Sequence, residues 1–590
     1  MKWLRSTTPV KLMAGVLLAL LAVWQLPAIV DRPSGGFMYW LLSALLQVLF
    51  AALLLISFTT PDQRLKKIAY PLGFLFALFA VLGKPMNTTR ALPVGTVLTL
   101  LTYALNIAVF TVLFGSVIVL LYRVVLWLIR RMESTPTSAK KESFFSRLVG
   151  NGFFAFALVL LCWVPVWLAF YPGTFRYDAD TQFYSYMDAV LTTHHPLLHT
   201  LMLGWLTGIG NDADSLTLGV AIYSAVQMVL MAGILGYACA WLHKHRVPLG
   251  LRIAVLIVFA VFPLFPLWSF SATKDVLFGG FVMLLCLQMV DLWQEGAAWL
   301  KHPLRVACFV FTAALMMLLR NNGMYAFVLA LPFAVIAAKG RRIRTALLLA
   351  VCVGVFLGSN TLLINAVEAG PGSYVEMLSI PLQQVARAAS QGTVSEEDSA
   401  LLGDLFTSDL RELYIPMCAD NVKWNLDEDV LTAGFADYAA LWLRVGQANP
   451  RLYLEAFLEQ NLPYYYPGAK MQYNIVLGVL PMDMYTLEEA PVLPQLRPFY
   501  EAYDASLTLF GVPVTELFSD NAVMVWVTLL LLGLAIYRRQ RGTVIAGLFL
   551  LAIWGSCLLG PIAAMRYMLG LFYAVPVLAA GVFGKEVSKQ

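Results

Sequence analysis

The sequence is short of charge. Only 13% of its 590 residues are Asp, Glu, Lys or Arg, about half the share found in a soluble domain, roughly 25%. With 60% apolar residues, an ordinary water-soluble globule is excluded, and no nucleic-acid partner is expected. Cysteine is scarce as well. Six of the seven (Cys162, Cys239, Cys286, Cys308, Cys352, Cys557) lie in apolar runs, and only Cys418 falls in a polar stretch. That stretch therefore has no internal disulfide, and no CxxC or Cys/His spacing indicates structural zinc. The chain contains no internal repeat.

What it has instead is long apolar runs, each sufficient to cross a hydrocarbon core of about 30 Å. They predict an all-α polytopic membrane protein with about fourteen spans, near 11–30, 37–58, 68–83, 95–125, 151–170, 216–242, 250–268, 275–294, 304–319, 323–338, 344–366, 521–537, 542–560 and 563–584. The first run follows Lys2, Arg5 and Lys11 as a signal peptide does. It ends, however, in Asp31-Arg32-Pro33 without a small-residue cleavage site, which predicts an uncleaved first helix.

Lys and Arg in short loops stay in the cytoplasm. With the N-terminus inside, the basic loops 64–67, 130–147, 243–246, 301–305, 339–344 and 538–541 all fall on that side, as do Lys585 and Lys589. The apolar segment 195–210 would invert every later loop if it crossed. It contains His199 and ends in Gly208-Ile209-Gly210, so a helix lying in the outer interface is predicted. The expected location is the plasma membrane, with both termini cytoplasmic.

Residues 367–520 carry 22 acidic and 7 basic residues, a net charge of −15. They read as a mainly helical extracytoplasmic domain before the last three spans, with amphipathic helices at 374–389 and 441–460. The predicted organisation is a four-helix N-terminal module (1–130), a cytoplasmic linker (131–150), a membrane core (151–366) with its first external loop at 171–215, the acidic domain (367–520) and a C-terminal part (521–590).

Polar motifs gather on the outer side of this scheme: YPGTFRYDADTQ at 171–182, His194-His195-Pro196, SFSATKD at 269–275, Arg320-Asn321-Asn322-Gly323, and Arg566-Tyr567. The acidic domain adds PLQQVAR at 381–387 and Asp420-Asn421-Val422-Lys423. Ionisable residues at helix ends often snorkel to the interface. Three cations and three carboxylates on one face suit an anionic lipid headgroup beside a site of acid–base chemistry.

These motifs resemble those of the GT-C superfamily of membrane glycosyltransferases, and within it a bacterial group related to protein mannosyltransferases and lipid A aminoarabinose transferases. The resemblance rests on Pro172-Gly173, Asp178, Gln182, His195-Pro196, Lys274-Asp275, the Arg320 turn, Pro381 to Gln384, Asp420 to Lys423 and Arg566-Tyr567. It covers roughly 150–585 and leaves the first four helices unexplained. It implies a GT-C-like bundle that transfers sugar from a polyprenyl-phosphate carrier to a cell-envelope glycan, lipid or protein. Cations would stabilise the departing phosphate, and Lys274, Arg320 and Arg566 are the candidates, with Arg387 and Lys423 reaching in from above. Asp178 is the expected general base, the alternative being an N-cap on the helix that follows. Arg176, Gln182, His195, Asp275, Asn321, Gln384 and Tyr567 complete the expected substrate site.

Many relatives have Ser after the acidic residue. Here Asp178-Ala179-Asp180 forms a DxD-like pair, which leaves open which carboxylate acts. The pair is also a candidate ligand set for Mg²⁺ or Mn²⁺, whereas the nearby histidines would favour zinc. Tyr464-Tyr465-Tyr466 either stacks on sugar or packs the domain down. A lipid flippase or transporter, a non-glycosyl lipid-dependent ligase, and a non-catalytic receptor are the competing readings. The near absence of charge at mid-span argues against transport.

Overall fold

The computed structural model describes residues 9–30, 36–93, 95–134, 143–212, 215–471, 473–482 and 484–584. Lys2, Arg5, Asp31, Arg32, Pro33, residues 135–142 of the predicted linker 131–150, Lys585 and Lys589 lie outside the described residues. Among those described, the regular elements are helices, and strand pairing is confined to isolated bridges.

Nine described helices are long and apolar enough to cross a membrane: Pro9–Ala28, Tyr39–Thr59, Gln63–Thr89, Val97–Met132, Gly152–Ala169, Leu216–Lys244, Lys274–Glu295, Arg342–Ala366 and Asn521–Arg538. This is a multi-pass helical membrane protein. Five shorter apolar helices, Leu249–Val261, Pro303–Leu319, Asn321–Ala337, Arg541–Cys557 and Met565–Gly581, occupy the other predicted positions. The predicted run 250–268 is broken. Phe262, just before Pro263, takes an extended conformation, and a separate short helix, Leu264–Ser269, follows. A residue before proline is sterically driven out of the helical region.

Lys274–Glu295 is the central helix, buried along nearly its whole length. It packs against Leu216–Lys244, Pro303–Leu319, Arg541–Cys557 and the last helix. Two glycines set the last of these contacts. A Cβ on Gly279 would lie 3.0 Å from the Gly570 nitrogen, and one on Gly570 would lie 2.8 Å from Val282. Small residues let helix backbones approach where lipid provides no hydrophobic drive. The approach brings the start of the central helix beside the start of the last one.

The N-terminal helices join the bundle through Asn521–Arg538. Phe76 stacks on Trp526 at 4.2 Å, and the Tyr122 hydroxyl donates to the Leu530 carbonyl at 2.6 Å. The acidic region has its own apolar core, including Leu382, Val385, Leu402, Leu405 and Leu441. The predicted helix at 441–460 is two helices, Phe435–Ala448 and Pro450–Gln460. Pro450 takes the first position of the second, where its missing N–H costs nothing, but it cannot continue the first. The predicted helix at 374–389 begins as a tight turn, Tyr374–Leu378, before Ser379–Gln391. The segments around Gly478 and Ala490 run back along the loop that follows Gly152–Ala169: Phe175 N donates to the Gly478 carbonyl at 3.0 Å, and Ala490 N to the Tyr171 carbonyl at 2.9 Å.

Candidate functional site

Five segments meet at one end of the bundle. The loop after Gly152–Ala169 delivers Asp178, and the turn before the helix Leu197–Asn211 delivers His195. The central helix begins with Lys274 and Asp275. Arg320 and Arg566 come from the turns that open Asn321–Ala337 and the last helix. Thr273 caps the central helix, its side chain accepting from Asp275 N. A helix N-terminus already carries partial positive charge, so Lys274 adds to a field that attracts anions.

Asp178 occupies the cap position of Ala179–Met187, yet its carboxylate makes no capping hydrogen bond. It accepts from the Lys274 ammonium instead, and Arg566 Nη1 stands 3.4 Å from the same oxygen. Asp275, wholly buried, accepts from Arg320 and from the Thr273 hydroxyl at 3.0 Å, with Arg566 Nε 3.8 Å away. Aromatic faces hold both guanidinium groups: Arg320 lies 3.9 Å from the Tyr567 ring centroid, and Arg566 4.5 Å from that of Tyr177. Such cation–π contacts strengthen when water is excluded. The Tyr177 hydroxyl donates to the Ile475 carbonyl at 2.6 Å, and its backbone is in the left-handed region at φ 61°.

Burial pushes the Asp178 carboxyl up, but the charges of Lys274 and then Arg566 outweigh it and hold the group well below the usual carboxylate range. His195 Nδ1 lies 3.5 Å from the Lys274 nitrogen. Burial, reinforced by the Lys274 charge, holds this imidazole down to about 3. Three cations, two carboxylates and a neutral imidazole leave one positive charge in excess. Asp178 keeps 28% of its side chain exposed, against 11% for each of the three cations, so an incoming group meets Asp178 first.

The predicted residues Asp178, His195, Lys274, Asp275, Arg320, Arg566 and Tyr567 are thus brought together. Others are placed elsewhere. Asn321 is exposed on the first turn of its helix. Arg176 converges with Glu489 over Gly478. Gln182 points into the core, where its Oε1 meets His199 Nδ1 at 3.1 Å and its Nε2 donates to Thr200 at 3.0 Å.

The three residues expected from above are corrected outright. Arg387 is buried and pairs with Glu455 at 3.0 Å and with Glu459. Lys423 pairs with Glu376 at 2.7 Å and Asp420 at 2.9 Å. Gln384 donates to the Tyr453 carbonyl and accepts from Trp442. Lys423 and Gln384 serve the acidic region's own packing, and Arg387 also reaches the Arg90 carbonyl. Tyr464 is also buried, its hydroxyl accepting from Ala564 N at 3.2 Å, so it steadies the loop that delivers Arg566.

The DxD-like pair does not fit a metal. Lys274 and Arg566 hold Asp178, and Asp180 lies 3.5 Å from the Thr181 hydroxyl. Among the described residues no three His, Cys, Asp or Glu side chains are grouped to hold an ion.

Sequence reasoning missed the buried relay behind the site. His199 Nε2 meets the Tyr223 hydroxyl at 2.8 Å, Tyr223 donates to Gln227 at 2.8 Å, and Gln227 donates to the carbonyls of Ser269 and Ser271. An amide such as Gln227 inside an apolar span was the available signal; attention to charge alone passed over it.

The profile of DUF6020, a family of unknown function, matches residues 183–589. The chain belongs to the DUF6020 family. The matched region holds Lys274, Asp275, Arg320 and Arg566 and begins just after Asp178. No curated protein and no solved structure matches the chain.

Proposed function

We propose that this DUF6020 member is a GT-C-type membrane glycosyltransferase. In this reading fourteen helices cross the plasma membrane, both termini are cytoplasmic, and a sugar moves from a polyprenyl-phosphate donor to a cell-envelope glycan, lipid or protein on the outer face. The observation that carries the reading is the contact of Asp178 with Lys274 and Arg566, with Arg320 and Asp275 directly behind.

The donor phosphodiester carries one negative charge, matching the single cation in excess. As the bond from the anomeric carbon to phosphate oxygen breaks, the carbon becomes oxocarbenium-like and the phosphate gains a second negative charge. Lys274, Arg566 and Arg320 meet that charge as it develops, and such preorganised stabilisation lowers the barrier. Arg suits the task because its fork grips two oxygens.

The acceptor hydroxyl bonds to the anomeric carbon and gives its proton to Asp178. In the resting site Asp178 is a poor base, since two cations favour its ionised form. Donor phosphate competes for those same cations, which releases the carboxylate and restores its basicity. The donor thereby switches on the base.

The test is purified protein with a panel of polyprenyl-phosphate sugars, wild type against Asp178→Asn. Release of carrier phosphate by wild type, reduced on the order of 10² to 10⁴-fold in the variant, supports the assignment. Equal turnover removes Asp178 from the chemistry, and no turnover with any donor overturns the reading.

A further inference from the structure

A half-open apolar pocket reaches into the core of the acidic region. A cavity of about 190 Å³ lies among Leu382, Leu402, Phe406, Leu431, Phe435 and Trp442, with Tyr438 beside them. Phe435 is 51% exposed, so the hollow opens to the surface there. Protein interiors rarely contain voids larger than a water molecule. An apolar void of about 150 Å³ stays dry and takes a hydrocarbon such as benzene. The lining residues are almost all hydrocarbon, and Trp442 spends its N–H on Gln384. The buried part of any occupant is therefore apolar.

The mouth specifies the rest. Asp404 adjoins Leu405 and Asp437 adjoins Tyr438, both of which line the hollow, and Asp427 N donates to the Leu405 carbonyl at 2.9 Å; all three carboxylates are on exposed residues. Arg444, on the same helix as Asp437, is committed to Asp398. Residues 367–520 as a whole carry a net charge of −15, the same sign as the rim. An anionic headgroup is repelled from this rim, and a cationic one relieves the repulsion among the carboxylates.

We propose that the hollow binds a cationic amphiphile. A hydrocarbon portion of about six to eight carbons enters between Leu402 and Trp442, and a positively charged head sits among Asp404, Asp427 and Asp437. The site stands apart from the Asp178 cluster and does not depend on the transferase reading.

The test uses the full chain in phosphatidylcholine nanodiscs with a photoreactive diazirine analogue of octylammonium, adducts being mapped by mass spectrometry. Labelling of the membrane helices serves as the internal reference. Adducts are expected on peptides spanning 378–442 and are suppressed at least tenfold more effectively by octylammonium than by octyl sulfate. Ala439→Trp, which plugs the hollow, abolishes them; Leu402→Phe does the same if the first variant does not fold. The double variant Asp404→Asn/Asp437→Asn keeps labelling of the hollow but loses most of the preference for the cation. Labelling confined to the membrane helices overturns the proposal. So does equal competition by octyl sulfate, or adducts elsewhere on the region that survive plugging.

Discussion

Asp178 gives its carboxylate to Lys274, although it stands where a helix cap would stand. Ninety-six positions separate the two in sequence, and the contact joins the loop after Gly152–Ala169 to the central helix. His195 lies against the same ammonium group.

That junction predicts an acid-sensitive fold. An unfolded imidazole takes up a proton below about 6.5, whereas folded His195 does so only near 3. Burial imposes the same on His199, which also falls to about 3. Between those limits the unfolded chain binds more protons, so stability declines as pH falls from about 6.5 towards 3. Asp178, whose value is depressed in the fold, adds its own loss below about pH 4. Thermal unfolding in nanodiscs should therefore shift down by several degrees between pH 7 and pH 4.5. His195→Asn should flatten part of that slope, and an unchanged slope would refute the assignment.

The Asp275–Arg320 pair separates stability from chemistry. Asp275→Asn leaves Arg320 buried without its counter-charge, a loss of roughly 3–5 kcal/mol. Replacing both, as Asp275→Leu with Arg320→Met, removes the unpaired charge and should recover most of the thermal stability. Transfer activity should stay lost, because one of the three cations that meet the phosphate charge is gone. Activity returning with stability would make Arg320 merely structural.

The cations of the site were legible because a Lys or Arg at the end of an apolar run is costly, and its presence needs a cause. Lys274, Arg320 and Arg566 stood out on that ground, and the structure brings them to one place. Arg387, Lys423 and Gln384 carried no such signal. In a polar region a cation is cheap, and sequence does not tell a ligand-facing one from a partner of Glu455, Glu459 or Glu376. The break at Asn449-Pro450 was legible, since Pro450 interrupts the helix predicted over 441–460. The shared geometry of His199, Tyr223 and Gln227 was not, because it depends on two helices meeting.

That relay makes His199 a positioning residue. It ties the helix carrying Gln182, the helix after His195 and, through Gln227, the backbone just before Lys274. His199→Leu leaves the Gln182 amide oxygen without its buried partner, at a cost of about 1–3 kcal/mol, while the Tyr223 hydroxyl keeps Gln227. Thermal unfolding should register that loss. His199→Gln, which retains one polar contact, should recover part of it. Equal stability in all three proteins would show that the relay holds nothing together.

Topology is open to a chemical test in intact cells. Glu428 lies on the acidic region, outside every helix read as a span. In the proposed orientation a Glu428→Cys variant reacts with a membrane-impermeant thiol reagent before lysis. A cysteine replacing Lys301, between Lys274–Glu295 and Pro303–Leu319, reacts only after it. The reverse pattern would turn the protein over and put the Asp178 cluster on the cytoplasmic side.

Arg387 distinguishes a structural cation from a catalytic one. Besides Glu455 and Glu459, its guanidinium donates to the Arg90 carbonyl at 2.5 Å, and Glu455 accepts from Leu92 N at 2.7 Å. Arg90 itself reaches Glu459 at 3.5 Å. The network therefore fastens the end of Gln63–Thr89 to the acidic region, across a boundary that the DUF6020 match does not include. Arg387→Met leaves Glu455 to Arg451 and Glu459 to Arg90, and the expected loss is up to roughly 3 kcal/mol, the low end for a broken buried pair. The N-terminal helices should loosen first, so limited proteolysis should cut near residues 90–96 in the variant and spare the wild type. Turnover per folded molecule should remain within a few-fold of wild type, unlike that of Lys274→Met. A collapse of turnover with the fold intact would return Arg387 to the site from which its geometry removes it.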